Sequence, residues 1–137
     1  MARPNHPHLT PLDRERCLQL LTTTTVGRIA FVDDQGVQLA PVNFALLDDA
    51  IYIRTLADGF IAGSIGHPVA FGVDYHGASF RLGWNVTVKG IVEEVTDEAI
   101  RARVLAHERL DPWAGGDRST VLRIGIDSID GRRARAD

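Results

Sequence analysis

Residues 39–60, LAPVNFALLDDAIYIRTLADGF, carry two runs of alternating apolar side chains that meet at Asp48-Asp49, and the second run stops on Arg54-Thr55. Period-two alternation marks half-buried strands, and a short polar pair between two such runs marks a hairpin turn. A symmetric turn pairs residues 37–47 with residues 50–55, setting Leu46 opposite Ile51, Phe44 opposite Ile53 and Asn43 opposite Arg54. Val42, Phe44, Leu46, Ile51 and Ile53 then share a core face, while Asn43, Tyr52 and Arg54 share a polar one. The segment ADGFIAGSI after Thr55 reads as a short helix. An arginine fork and a hydroxyl beside a first helical turn suit a phosphate, with Asp58 as the competing partner for Arg54.

The pattern continues on both sides. Thr10 and Pro11 open a predicted helix as N-cap and first residue, and it buries Cys17, Leu18 and Leu21 before four threonines lead into the strand VGRIAFV. His67-Pro68 starts a strand, VAFGVDY, in which Ala70, Gly72 and Asp74 share one face, open to a flat ligand, a backbone or a packed helix. Residues 80–95 are the longest alternating run, with Phe80, Leu82, Trp84, Val86 and Val88 on one side. Thr96, Asp97 and Glu98 cap a helix expected to reach Asp111, a loop containing Trp113 follows, and STVLRIGIDSIDG is the last strand. The sum is a mainly β, antiparallel barrel of about six strands with flanking helices, since short connections argue against a doubly wound sheet.

A chain of 137 residues with 45% hydrophobic content fits one domain, placed at residues 10–133 between an N-terminal arm (1–9) and a tail (134–137). With 15 basic and 18 acidic residues the net charge is −3, which excludes a protein built to coat a nucleic-acid backbone. No apolar stretch reaches the roughly 18 residues of a membrane span, and the N-terminus lacks a secretory apolar region. A soluble cytoplasmic protein is expected, with lone Cys17 as a small buried hydrophobe.

Catalytic patterns are absent: no phosphate-binding glycine loop, no GxSxG, no HExxH and no cysteine pair. His6, His8, His67, His76 and His107 are scattered and form no metal-ligand spacing, so neither a metal site nor a catalytic side chain is assigned.

Taken together, VGRIAFVDDQGVQLAPVNFALLDDAIYIRT, HPVAFGVD and GWNVTVKGIVEEVTD resemble, in order and spacing, the pyridoxamine 5'-phosphate oxidase-like family, in particular its small actinobacterial-type members. The resemblance covers residues 12–133. It implies a flavin-binding split β-barrel acting as a homodimer, with FMN in grooves at the subunit interface. Pro41, Val42 and Asn43 would run along the isoalloxazine ring, Arg54 and Thr55 would bind the phosphate, and Trp84 would line the ring or the interface near it. The family's pattern places a lysine about five residues after the threonine, following a glycine. Here Gly59 and Phe60 occupy that segment, so a contact worth about 1.5–3 kcal/mol is absent and weaker FMN binding is expected.

The resemblance implies an oxidoreductase acting on a small molecule, the flavin supplying the chemistry. The alternatives are a deazaflavin-dependent reductase, whose acidic tail would draw on Arg28, Arg81, Arg123, Arg132, Arg133 or Arg135, and a non-catalytic module that binds flavin or haem, or no cofactor.

Overall fold

The computed structural model describes residues 8–77, 82–111 and 116–135. Phe80, Arg81 and Trp113 lie outside them, as do His6 and most of the expected arm. Nine strands form one antiparallel sheet: β1 (His8–Leu12), β2 (Val26–Asp33), β3 (Gly36–Asn43), β4 (Ala45–Leu47), β5 (Ala50–Thr55), β6 (Pro68–His76), β7 (Leu82–Glu94), β8 (Thr120–Gly125) and β9 (Ser128–Arg135). The expected class holds, but among the described residues the strand count is nine rather than about six: residues 37–47 divide into β3 and β4, the last run divides into β8 and β9, and β1 forms where an arm and a helix start are expected. Two helices, α1 (Arg14–Leu21) and α2 (Glu98–Leu105), flank the sheet. Among the described residues no helix is long and apolar enough to cross a membrane.

The strand order β3-β2-β6-β7-β8-β5-β4 is organised by β7. One edge of its 13 residues pairs with β6; the other pairs with β9 over Leu82–Lys89 and with β8 over Val92–Glu94. The handover from β9 to β8 occurs around Gly90, where any Cβ would collide with the Gly125 carbonyl oxygen. Glycine lets the two backbones cross there. The two outermost strands, β3 and β4, are consecutive in sequence and separated only by Phe44. The sheet therefore curls almost back on itself, and Phe44 spans its split, fully buried with its ring edge-on to Phe71 at 4.8 Å.

That break changes the register expected around the hairpin. Leu46 does face Ile51, but Asn43 pairs with Val26 on β2 rather than with Arg54 on β5. Asp48 and Asp49 both take positive φ (49° and 60°), the left-handed pair that lets a two-residue turn match the twist of its strands.

The main core fills the curl with Phe44, Ile51, Ile53, Phe71, Val86, Val88, Leu122 and Ile124, closed at one end by Cys17, Leu20 and Leu21 of α1. Burial, reinforced by Asp130 and Asp13, pushes the Cys17 thiol up, so it packs as a protonated side chain. A second cluster, Ala45, Ala50, Tyr52, Val95, Val104, Leu110 and Val121, lies between the other face of β5 and β8 and α2. Tyr52 is thus buried, not on a polar face as its alternation suggests, because α2 covers that side.

The first helix also starts later than Thr10-Pro11 indicates. Both residues lie in β1, opposite Arg133 and Arg132 of β9, and Asp13 is the N-cap, accepting from the Arg16 N–H at 2.8 Å. His8 and Leu9, assigned to a loose arm, already pair with β9. The second helix ends at Leu105, not near Asp111, and a separate 3-10 turn spans Glu108–Leu110.

If Gly90 is the point on which the handover turns, Gly90→Ala should lower unfolding stability by about 1–3 kcal/mol or more. Chemical denaturation reads this directly, and an unchanged midpoint would refute the crossing argument.

Candidate functional site

The split between β3 and β5 is also where the chain leaves a cavity of about 380 Å3. Its floor is the end of β3, Ala40 to Asn43, with Val26 of β2 beside it. Arg54 and Thr55 enter from the end of β5, and Phe60 and Ile61 from the following 3-10 turn, Phe60–Ser64. Because β3 and β5 are not hydrogen-bonded partners, their ends stand apart and a ligand-sized space remains. Most of the lining is apolar, and among the described residues that line it the charged ones are both arginines, Arg54 and Arg118.

Arg54 is held by backbone. Its Nε donates to the Arg118 carbonyl at 3.0 Å and its Nη1 to the Leu110 carbonyl at 3.4 Å. Among the described residues it makes no ion pair, so Asp58 is not its partner. Two of the five guanidinium N–H donors are used this way, which fixes the plane of the fork and leaves others for an anion. Thr55 is buried at 3% exposure beside it. A rigid cation and a hydroxyl at one end of an apolar slot suit a flat, largely apolar ligand with an anionic end.

The structure thus brings Pro41, Val42, Asn43, Arg54, Thr55 and Phe60 to one cavity. Phe60, at the family's lysine segment, is half exposed and stacks on Phe31 with centroids 6.2 Å apart. Gly59 caps the 3-10 turn but does not line the cavity. Trp84 is elsewhere: it stacks on Tyr75 of β6 at 6.4 Å and lines a depression with Leu82 and Arg133. Within one chain it does not meet the arginine cavity. The described side chains of Arg28, Arg123, Arg132 and Arg133 do not line it either, and Arg28 pairs with Asp74 at 2.9 Å.

Arg118 was not singled out by sequence reasoning. Only the pairing of β5 with β8, which sets Thr55 opposite Thr120, carries the loop before β8 to Arg54.

Residues 13–133 match the pyridoxamine 5'-phosphate oxidase family, and the chain belongs to it. An uncharacterized protein of Mycobacterium tuberculosis is 30% identical over 132 residues, 92% of this chain and 86% of that one. The structure of an FAD binding protein from Mycobacterium smegmatis superposes with a TM-score of 0.81 at 31% identity, covering 92% of this chain and 98% of that one. An FAD-binding protein from Mesorhizobium loti gives 0.75 at 26%, with 93% and 98% covered.

The backbone anchoring of Arg54 has a measurable consequence. Arg54→Ala removes two donors from half-buried carbonyls and should cost about 1–3 kcal/mol of stability while leaving the chain folded. Urea unfolding with circular dichroism checks both statements; a midpoint equal to the wild type would mean that water satisfies those carbonyls equally well.

Proposed function

We propose that this member of the pyridoxamine 5'-phosphate oxidase family is a flavoprotein oxidoreductase that holds the riboflavin phosphate of FMN in the β3–β5 cavity and acts on a small molecule. The observation that carries the reading is the lining itself: two arginines and a threonine hydroxyl in a slot whose other walls are apolar apart from Asn43, with no carboxylate among the described lining residues. The phosphate would lie against Arg54 and Thr55, at the side of the cavity that Arg118 also lines. The ring would lie along Pro41, Val42 and Asn43, where the edge strand offers backbone groups and small side chains. Two structures resembling this chain are those of FAD-binding proteins, and FAD contains the same riboflavin phosphate.

A bound flavin supplies hydride and electron transfer, so the chain needs no acid, base or nucleophile of its own. Its residues position the ring, neutralise the phosphate and keep water from one side. That division of labour accounts for the missing catalytic motif.

The reading includes a homodimer. Val32, Val37 and Leu39 are 63%, 81% and 66% exposed and share the outer face of β2 and β3, where Val32 pairs with Val37 and Ala30 with Leu39. Pro41 continues that face and also lines the cavity, so a second copy seated there would close over the bound ring. Burying such apolar side chains is the ordinary driving force for association.

Titration of the purified protein with FMN, followed by flavin fluorescence and absorption, tests the site. Arg54→Ala should weaken FMN about tenfold or more, and Phe60→Lys should tighten it by a comparable factor, since each substitution removes or adds one charge-assisted hydrogen bond to the phosphate. Saturable binding of deazaflavin coenzyme but not FMN would overturn the cofactor choice, and equal FMN affinity in all three proteins would overturn the site. For the assembly, size exclusion with light scattering should give a dimer that Leu39→Asp converts to a monomer; a monomeric wild type would sink it.

A further inference from the structure

Tyr75, Trp84 and Arg133 form one row across three neighbouring strands. Tyr75 of β6 is directly opposite Trp84 of β7, and Trp84 is directly opposite Arg133 of β9. Directly opposed residues point to the same face, so two aromatic rings and a guanidinium follow one another at the strand spacing of about 4.8 Å. The adjacent row on that face is Val73, Val86 and Gly131, all buried. The aromatic row is therefore the place where the core side of the sheet reaches solvent, on the face opposite Val32 and Leu39.

Beside this row is a depression of about 390 Å3, within the range of ordinary small-molecule sites, and Leu82 also lines it. The two rings, 24° from parallel with centroids 6.4 Å apart, form an offset stack. Tyr75 and Leu82 are exposed and Trp84 is half-buried, a contiguous apolar surface of the kind that marks an interaction site. Arg133 gives that surface a charged end. Among the described residues it has neither a hydrogen-bond nor an ion-pair partner, and no carboxylate lines the depression. The carboxylate of the adjoining surface, Asp74, is already engaged by Arg28 Nη1 and His76 Nε2, each at 2.9 Å.

These features select the ligand. Exposed ring faces recognise a flat aromatic body, and a guanidinium fork takes a carboxylate through two parallel hydrogen bonds. An amino group on the ligand would meet no uncommitted carboxylate, which disfavours aromatic amino acids. A polyanion is disfavoured by the net charge of −3. We propose that the Tyr75, Trp84 and Arg133 depression is a second small-molecule site, sharing no lining residue with the Arg54 cavity, and that it takes a planar aromatic carboxylic acid as its anion. The ring of the acid stacks on the aromatic pair, and its carboxylate accepts from the Arg133 guanidinium.

Calorimetric titration of the full chain with cinnamate, and with its uncharged analogue cinnamamide, tests the site in the wild type and in Arg133→Gln, Tyr75→Ser and Arg54→Ala. The expected result is saturable cinnamate binding by the wild type, about tenfold or more tighter than cinnamamide, as one charge-assisted contact requires. Arg133→Gln should bring cinnamate down to the cinnamamide level and leave cinnamamide unchanged. Tyr75→Ser should weaken both ligands, and Arg54→Ala should change neither. The comparison of acid and amide is made on the wild type, so it stands whether or not a variant folds. Loss of cinnamate binding in Arg54→Ala with Arg133→Gln unaffected would move the acid to the flavin cavity and overturn the site. Equal wild-type affinity for the two ligands, or no saturable binding of cinnamate, also overturns it.

Discussion

A single strand with three partners sets the architecture. Each backbone N–H and C=O of β7 needs an acceptor or donor, and its 13 residues are too long for either β8 or β9 to satisfy one edge alone. The edge is divided between them, and the division is possible only because Gly90 has no side chain where Gly125 crosses. From that handover the sheet bends, β8 and β5 swing to one side and β6 and β2 to the other. The two ends of the strand order approach each other as β3 and β4 without joining.

The site is a by-product of that incomplete closure. A closed barrel would tie the end of β3 to the end of β5 by hydrogen bonds and leave a packed interior between them. Phe44 plugs the split from inside while Asn43 and Arg54 stand on its outer side, each satisfied by a different neighbour. A cavity with apolar walls and cationic groups follows from the topology. Phe60 and Arg118, from segments far apart in the chain, meet along that cavity with Arg54.

Much of this was legible because local chemistry and long-range structure agree. Alternation placed Leu46 opposite Ile51, and the burial of Cys17 follows from its place in α1. The failures have specific causes. Thr10-Pro11 has the local form of a helix start, but β9 offers both residues a strand partner, and Asp13 caps better through its own carboxylate. Phe44 lies in phase with its neighbours, so nothing local reveals that the strand breaks there; the break exists because two different strands claim the residues on either side.

The sequence by itself determined the antiparallel β class, the hairpin at Asp48-Asp49, and the juxtaposition of a cation with a hydroxyl at Arg54-Thr55. Those depend on side-chain period and on residues adjacent in the chain. Only the tertiary structure decided that Tyr52 is buried beneath α2, that Trp84 stacks on Tyr75 away from the arginines, and that Arg118 shares the cavity with Arg54. Each of these depends on which strands and helices become neighbours, and that is chosen by the hydrogen-bond demands of β7 and the packing of the whole core, to which no short stretch of residues holds the answer.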